Sequence, residues 1–322
     1  MLSIYENLIA LTEEEEEILD QAKSNVNKTV YTNQQDFVIE RAKFLPDNKL
    51  IVIRKHPRYI AFPTHRHDYI ELNYVYHGKL KQKVGQEWIE LQKGELLFLN
   101  QHIEHELEPC GDEDLIINFI IDPKFFDHMF QNLDIEGAEQ SIINFLISGL
   151  FNHDRAGHYL YFRVSKEREI QEIIKKMILE MMEPSIFSEV TMKFQMGLLM
   201  VQLMEHADKA ITRSNHLYDH RIVVEVLAYI NDSYQTASLE HISNHLQMAS
   251  YNLSKQIKKS TGKTFKEILQ ERRLEEAKIL LKHTQISIDQ IAEDIGYENI
   301  SYFYRIFKKR YGCTPRVFRE RD

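Results

Sequence analysis

Hydrophobic residues in this chain follow two rhythms, and the change from one to the other divides it. From Phe37 to Ile121 they form short β-branched and aromatic runs: F-V-I, L-I-V-I, Y-I-E-L-N-Y-V-Y, W-I-E-L, L-L-F-L and L-I-I-N-F-I-I. Turn-forming clusters separate them at Pro46-Asp47-Asn48, His77-Gly78, Lys93-Gly94 and Pro109-Cys110-Gly111. Many short strands at such spacing predict a sandwich or small barrel. From Pro123 the spacing becomes helical. Ile142, Ile143, Phe145, Leu146 and Leu150 form one patch, and Ile170, Ile173, Ile174, Met177, Ile178 and Met181 recur as on an amphipathic helix. A third helix, about Phe187 to His206, is apolar on nearly all sides, with Val190, Phe194, Met196, Leu198, Leu199, Met200, Val201, Leu203 and Met204. It must bury two surfaces, either between the barrel and neighbouring helices or partly along a homodimer seam. Ahead of the strands, Thr12 reads as an N-cap for a short surface helix whose acidic run, Glu13 to Glu17, is a solvated face.

After the aperiodic Thr212-Arg213-Ser214-Asn215, a linker, the pattern becomes a series of short helices. One spans about Asp219 to Asn231. Ser238 then caps a helix carrying Leu239, Ile242 and Leu246, the chain turns at Gln247-Met248-Ala249, and a further helix runs from Ser250 to Ser260 before Gly262. Ser243 on its buried side requires a hydrogen-bond acceptor one turn back. A continuous helix from about Thr264 to Lys282 follows, roughly 28 Å long at about 1.5 Å per residue. From Ser287, Ile288, Ile291, Ala292 and Ile295 make one apolar face, Gly296 stops the helix, and Ile300, Phe303, Ile306 and Phe307 make another. Two short helices meeting at a sharp turn predict a helix-turn-helix, whose second helix enters the DNA major groove.

The run I-A-x-x-x-G-Y-x-x-x-S-Y-F-x-R-x-F-K-K-x-x-G-x-T-P within Ser287–Pro315 resembles the signature of the AraC/XylS family of bacterial transcription regulators. The resemblance extends over about Ile222 to Phe318, with departures at Ser243, Ile257 and Phe318. It implies two units, about 238–260 and 287–310, held one DNA turn apart by the long helix. Carried over by motif position, Tyr251, Ser254 and Lys255 in the first unit and Asn299, Ser301, Tyr302 and Arg305 in the second would meet base edges. Arg305 suits guanine, and Asn299 suits adenine unless it caps its helix. Lys258, Lys259, Lys308 and Lys309 would meet phosphates.

A second resemblance lies in the strands. H-x-H-x-x-x-E-x-x-x-x-x-x-G, His65 to Gly78, is similar to the first cupin motif, and Gly94 to His105 is a poorer copy of the second. His65, His67, Glu71 and His105 would match that family's metal ligands, a set suited to a divalent transition metal. On one unbroken strand His65, His67, Tyr69 and Glu71 would point the same way, lining a cavity. With the second motif degraded, these residues read as a polar effector pocket with no cofactor expected; a divalent metal is the alternative. Tyr69, Tyr74, Trp88 and Phe98 are the aromatic candidates for its wall.

Charge fits this division. The net charge of −9 separates into −12 over residues 1–215 and +3 from His216 onward. Cys110 and Cys313 stand apart, offering neither a disulfide framework nor a thiolate zinc site, and no apolar run approaches a membrane span. The expectation is an α+β multidomain, cytoplasmic protein. Its parts are an N-terminal helical extension (1–35), a cupin-like jelly-roll barrel (36–122), a helical dimerisation segment (123–215) and an all-α tandem helix-turn-helix domain (216–322). Its partners would be double-stranded DNA, a small-molecule effector of which sugars are the commonest in the family, a second copy of itself and, for an activator, RNA polymerase. A metal-dependent cupin enzyme joined to a DNA reader, and a constitutive DNA binder with a structural barrel, are the rival readings.

Overall fold

The computed structural model describes residues 3–20, 26–46, 49–126, 157–212 and 221–320, with Ile142, Phe145 and Ile147. The chain divides into two units, residues 1–129 with 134–219, and residues 220–322. Residues 213–215 of the expected linker, and Ile143, Leu146 and Leu150 of the first helical patch, lie outside the described residues.

The first unit is built on β1 (Val38–Ile39), β2 (Ile51–Lys55), β3 (Phe62–His67), β4 (Ile70–His77), β5 (Lys79–Val84) and β6 (Glu87–Gln92). It continues with β7 (Leu96–Leu99), β8 (His105–Leu107), β9 (Leu115–Ile121), β10 (Tyr159–Phe162) and β11 (Ala210–Thr212). One sheet runs β1-β3-β8-β5-β6 and the other β11-β10-β7-β4-β9-β2. Alternation sets the inner face of the first: Leu80, Gln82 and Val84 of β5 and Ile89 and Leu91 of β6 point in, while the intervening residues face water. β4 and β9 are buried on both faces. The outer face of their sheet is tied to α4 (Arg168–Met182), where Tyr74 Oη donates to Gln171 Oε1 at 2.7 Å and Gln171 Nε2 donates to Gly94 O at 3.0 Å. α5 (Ser188–Glu205) packs on α4 and against β2, and buries Met192, Met196, Leu199, Met200 and Leu203.

Three sequence expectations need correction here. β10 and β11 lie in the stretch read as wholly helical, and β10 pairs with β7 along Tyr159–Phe162 to complete the six-stranded sheet. The strand through His65 and Glu71 is not continuous: the chain bends at Asp68-Tyr69, so β3 and β4 belong to opposite sheets and their side chains meet across the interior. The acidic helix is not merely solvated. Within α1 (Ile4–Ile9), α2 (Glu13–Asp20) and α3 (Lys28–Tyr31), Ile18 and Tyr31 join the barrel core, and Glu15 is fully buried. Its carboxylate accepts from Arg58 N and Nε at 3.1 and 2.8 Å and from Lys55 Nζ at 2.7 Å.

The second unit holds α6 (Arg221–Ser233), α7 (Leu239–His245), α8 (Ser250–Thr261), α9 (Phe265–His283), α10 (Ile288–Asp294), α11 (Ile300–Tyr311) and α12 (Pro315–Arg319). Side-chain caps define these short helices. Ser238 accepts from His241 N, Ser287 from Gln290 N and Thr314 from Val317 N, while Thr264 and Glu267 form a capping box at the head of α9. Each cap contributes about 1 kcal/mol, which matters in helices of one or two turns. Buried Ser243 donates to Glu240 O at 2.9 Å, the acceptor its position requires. Leu274, Ala277, Leu281, Ile291, Ala292, Ile295, Phe303, Ile306 and Phe307 form the core under α10 and α11. Ala292, with no exposed surface, is where the small side chain allows close packing. Among the described residues no helix is long and apolar enough to cross a membrane.

Candidate functional site

Between the two sheets lies a small, partly open pocket lined by polar and aromatic side chains. His65 from β3 and His105 from β8 enter it from one sheet, Glu71 from β4 and Asn118 from β9 from the other, with Tyr69, His56 and Arg54 beside them. His67 stands behind this lining, its ring centroid 5.1 Å from that of His65 and 4.9 Å from that of His105.

The polar side chains form one connected chain. Asn73 Nδ2 donates to Asn118 Oδ1 at 3.0 Å, Gln82 Nε2 to Asn73 Oδ1 at 3.0 Å, and Asn118 Nδ2 to Glu71 Oε1 at 3.2 Å. Because the Gln82 amide nitrogen is used on Asn73, its oxygen accepts from His105 Nδ1 at 2.8 Å, and His105 Nε2 is left as a lone pair. His65 Nδ1 likewise donates to Pro63 O at 2.8 Å, which makes its Nε2 an acceptor. Burial keeps these imidazoles neutral: His65 is held down to about 4, and His67 and His105 well below the usual histidine value. Burial also pushes the Glu71 carboxyl up to about 7, opposed by Asn73 and the charge of Arg54. Glu71 Oε2 lies 3.8 Å from His67 Nε2 and 3.9 Å from His105 Nε2. One ligand nitrogen from each of His65, His67 and His105 falls within 4.8 Å of the others.

Two aromatic expectations fail on parity. Tyr74 and Phe98 face away from the pocket, Tyr74 toward α4 and Phe98 into a cluster with Phe145 and Phe162. Trp88 is not a pocket residue either: it sits on the outer face of β6, 53 % exposed, with Lys81 Nζ 4.8 Å from its ring. His56, Arg54 and Asn118 line the pocket and were missed by sequence reasoning. Asn118 carried a signal, as the one polar residue in L-I-I-N-F-I-I.

In the second unit α7–α8 and α10–α11 are the two helix pairs, separated by α9. Tyr251 is 76 % exposed at the start of α8, Lys255, Lys258 and Lys259 are exposed along it, and Ser254 is half-buried. On α11, Ser301, Arg305, Lys308 and Lys309 are exposed and Tyr302 is half-buried, with the Arg305 guanidinium 5.2 Å from the Tyr302 ring. Arg310 adds a further cation to the last turn. Asn299 takes the capping alternative: its Oδ1 accepts from Tyr302 N at 2.9 Å, so its carbonyl is committed to the helix end, and it does not offer the free amide that bidentate adenine contact needs.

A two-sheet barrel with a pocket between its sheets, carried on one chain with two helix-turn-helix units, defines the class. Residues 48–120 match the model of the AraC-like ligand binding domain and residues 242–321 that of a helix-turn-helix domain. The xylose operon regulatory protein of Haemophilus influenzae is 34 % identical over 99 residues, 30 % of this chain and 26 % of that protein, so the match spans about a quarter of that relative's length. The transcriptional activator RhaS of Escherichia coli is 23 % identical over 290 residues, covering 88 % of this chain and 97 % of RhaS. Among solved structures, ToxT from Vibrio cholerae aligns over 85 % of this chain and 98 % of its own, with 15 % identity and a TM-score of 0.34. The chain belongs to the AraC/XylS family of transcription regulators, with an AraC-like ligand binding domain ahead of its helix-turn-helix domain.

Proposed function

We propose that this protein is a cytoplasmic, sequence-specific DNA-binding transcription regulator whose activity is set by a small molecule in the barrel pocket. The observation that carries the reading is the pairing of two exposed, basic recognition-type helices, α8 and α11, with one capped spacer, α9, of 19 residues. At about 1.5 Å per residue that spacer approaches one turn of B-DNA, so one chain addresses two successive major-groove segments. Arg305, Tyr302 and Ser301 on α11 and Tyr251, Ser254 and Lys255 on α8 are the base-reading set; Lys258, Lys259, Lys308 and Lys309 add phosphate affinity and salt dependence.

The effector is a sugar or sugar-like molecule. Convergent acceptors, namely the Nε2 atoms of His65 and His105 and the Glu71 carboxylate, suit the hydroxyl donors of a polyol, and Tyr69 supplies a flanking ring. The name of the xylose operon regulatory protein supports this direction and that of the transcriptional activator RhaS supports activation, for which RNA polymerase is the further partner. The effector acts only through differential affinity for two states of the protein. A second copy of the chain docks on α5, whose exposed face carries Val190, Phe194 and Leu198 at helical spacing, with exposed Phe187 at its N-cap. The test is a thermal-shift screen of the full chain against mono- and disaccharides, followed by operator binding with each hit. A stabilising sugar that changes DNA affinity is the expected result; saturating sugars that change neither would remove the effector assignment.

A second reading rests on one observation: both ring nitrogens of His67 and His105 Nε2 are buried without hydrogen-bond partners among the described residues. Neutral imidazoles with orphaned lone pairs beside a carboxylate fit a divalent transition metal, which His65, His67, His105 and Glu71 would hold and which would anchor an effector oxygen as a Lewis acid. Metal analysis of the purified chain and of His67→Ala distinguishes the two readings.

A further inference from the structure

The long helix α9 fixes how far apart the two helix-turn-helix units stand, but a rod does not fix how each unit is rotated about its end. Arg273, near the middle of that rod, addresses rotation. Its Nε donates to Tyr234 O at 2.7 Å and its Nη2 to Gln235 O at 2.8 Å, both on the chain leaving α6, while its Nη1 donates to Gly296 O at 2.7 Å, in the turn between α10 and α11. The guanidinium also lies 5.2 Å from the Tyr297 ring centroid. Among the described residues no carboxylate pairs with it; three backbone carbonyls from two separate segments receive its donors.

A second observation places the same two segments in direct contact. Gly296 has φ 92°, and a Cβ built there would lie 2.3 Å from Gln235 O and 2.7 Å from Arg273 Nη2. The turn of the second unit therefore rests against the chain that joins α6 to the first, with no room for a side chain between them. Arg272 secures the other side of the joint: its Nε donates to Asn231 Oδ1 at 2.8 Å and its guanidinium lies 4.5 Å from the Tyr234 ring.

We infer that Arg273 is the positioning residue that locks the rotation of the second helix-turn-helix relative to the first, and so sets the spacing of half-elements that the protein accepts in DNA. The inference rests on the DNA-reading function proposed above. Three directed N–H groups on one planar fork are needed to hold three carbonyls in fixed relation. Lysine offers a single ammonium without that fork, and methionine offers no donor.

A change of one base pair between half-elements moves the second by about 3.4 Å and about 34°. A locked pair cannot follow; a loosened pair can. The experiment uses a duplex selected from a random library by the full-length wild-type chain, versions with one base pair inserted or removed between its two halves, and a duplex carrying one half alone. Wild type should lose on the order of 100-fold in affinity on the shifted duplexes, the cost of about one or two mismatched base pairs. Arg273→Met should lose about 10-fold on the parent duplex, bind the shifted duplexes within about 3-fold of the parent, and bind the single half like wild type. Arg273→Lys should fall between them and provides the answer if Arg273→Met does not fold. A wild-type ratio of parent to shifted affinity in the folded variants overturns the inference, whatever happens to thermal stability. Failure of the wild-type chain to select any two-part sequence would instead sink the DNA-reading proposal beneath it.

Discussion

Replacing Glu15 tests whether the N-terminal helix is part of the sensing barrel. Glu15 comes from α2, has no exposed surface, and accepts from Thr12 N, Arg58 N, Arg58 Nε and Nη2, and Lys55 Nζ. Arg58 is itself buried and donates to Ile9 O at 3.0 Å and Asp112 O at 2.8 Å, so the pair links the first two helices to the barrel loops. Burial alone would push the Glu15 carboxyl up; the hydrogen bonds from Arg58 and Lys55 more than reverse this and hold it at about 2. Relative to an ordinary value of 4.5, that depression corresponds to about 3 kcal/mol of stability, present above pH ~4.5 and lost as pH falls through ~2. Glu15→Gln removes the charge and strands the Arg58 and Lys55 cations, with an expected cost of about 3 to 5 kcal/mol. The pair Glu15→Leu with Arg58→Met should cost clearly less than the two single changes added together. Urea unfolding followed by the fluorescence of Trp88, the sole tryptophan, reports on this unit directly. A loss below about 1 kcal/mol for Glu15→Gln, or additive single and double changes, would refute the argument.

Acid should destabilise the metal-free barrel. His56 is held down to about 3 and His65 to about 4, chiefly by burial, so the unfolded chain gains their protons first and stability falls as pH drops below about 6.5. Between pH ~7.5 and ~5.5 each costs about 1.4 kcal/mol, and His67 and His105 act in the same direction. Glu71, raised to about 7, works oppositely and returns about 2 kcal/mol, leaving a net loss of roughly 1 to 4 kcal/mol; urea unfolding in EDTA at the two pH values measures it, and a gain on acidification would contradict the burial of these rings. On α5, Phe194 is 75 % exposed, so Phe194→Glu should halve the mass seen by light scattering and leave the unfolding free energy of the first unit's monomer within about 0.5 kcal/mol of wild type. An unchanged mass would remove α5 from the dimer seam.

The helical half was legible because its signals are local. Ser238 is a cap in sequence and a cap in space, Thr264 and Ser287 cap the helices whose starts the pattern marked, and Gly262 and Gly312 both take the left-handed conformation at a helix end. The barrel was legible in its strands but not in its pairing, which is non-local. Parity along one continuous strand aimed His65, His67 and Glu71 at a common interior, whereas the protein achieves this by bending at Asp68-Tyr69 and facing two sheets together. β10 was missed because Y-L-Y-F is only four residues long, and its partner β7 lies about 60 residues earlier in the sequence. Glu15 was hidden for a related reason: within a run of five glutamates, composition cannot distinguish the one that is fully buried against an arginine from its neighbours, of which Glu13, Glu16 and Glu17 are exposed.

The measurement that bears most directly on the proposed function is the affinity of Arg305→Ala for the duplex selected by the wild-type chain, alongside Lys308→Ala and over a range of salt. Arg305 is exposed on α11 and presents a fork matched to guanine. Its removal should cost about 1 to 3 kcal/mol and relax selectivity at one base pair, while loss of Lys308 should weaken all duplexes alike and lower the salt slope by about 1. Undiminished affinity and unchanged base preference in Arg305→Ala would contradict the assignment of α11 as a reading helix.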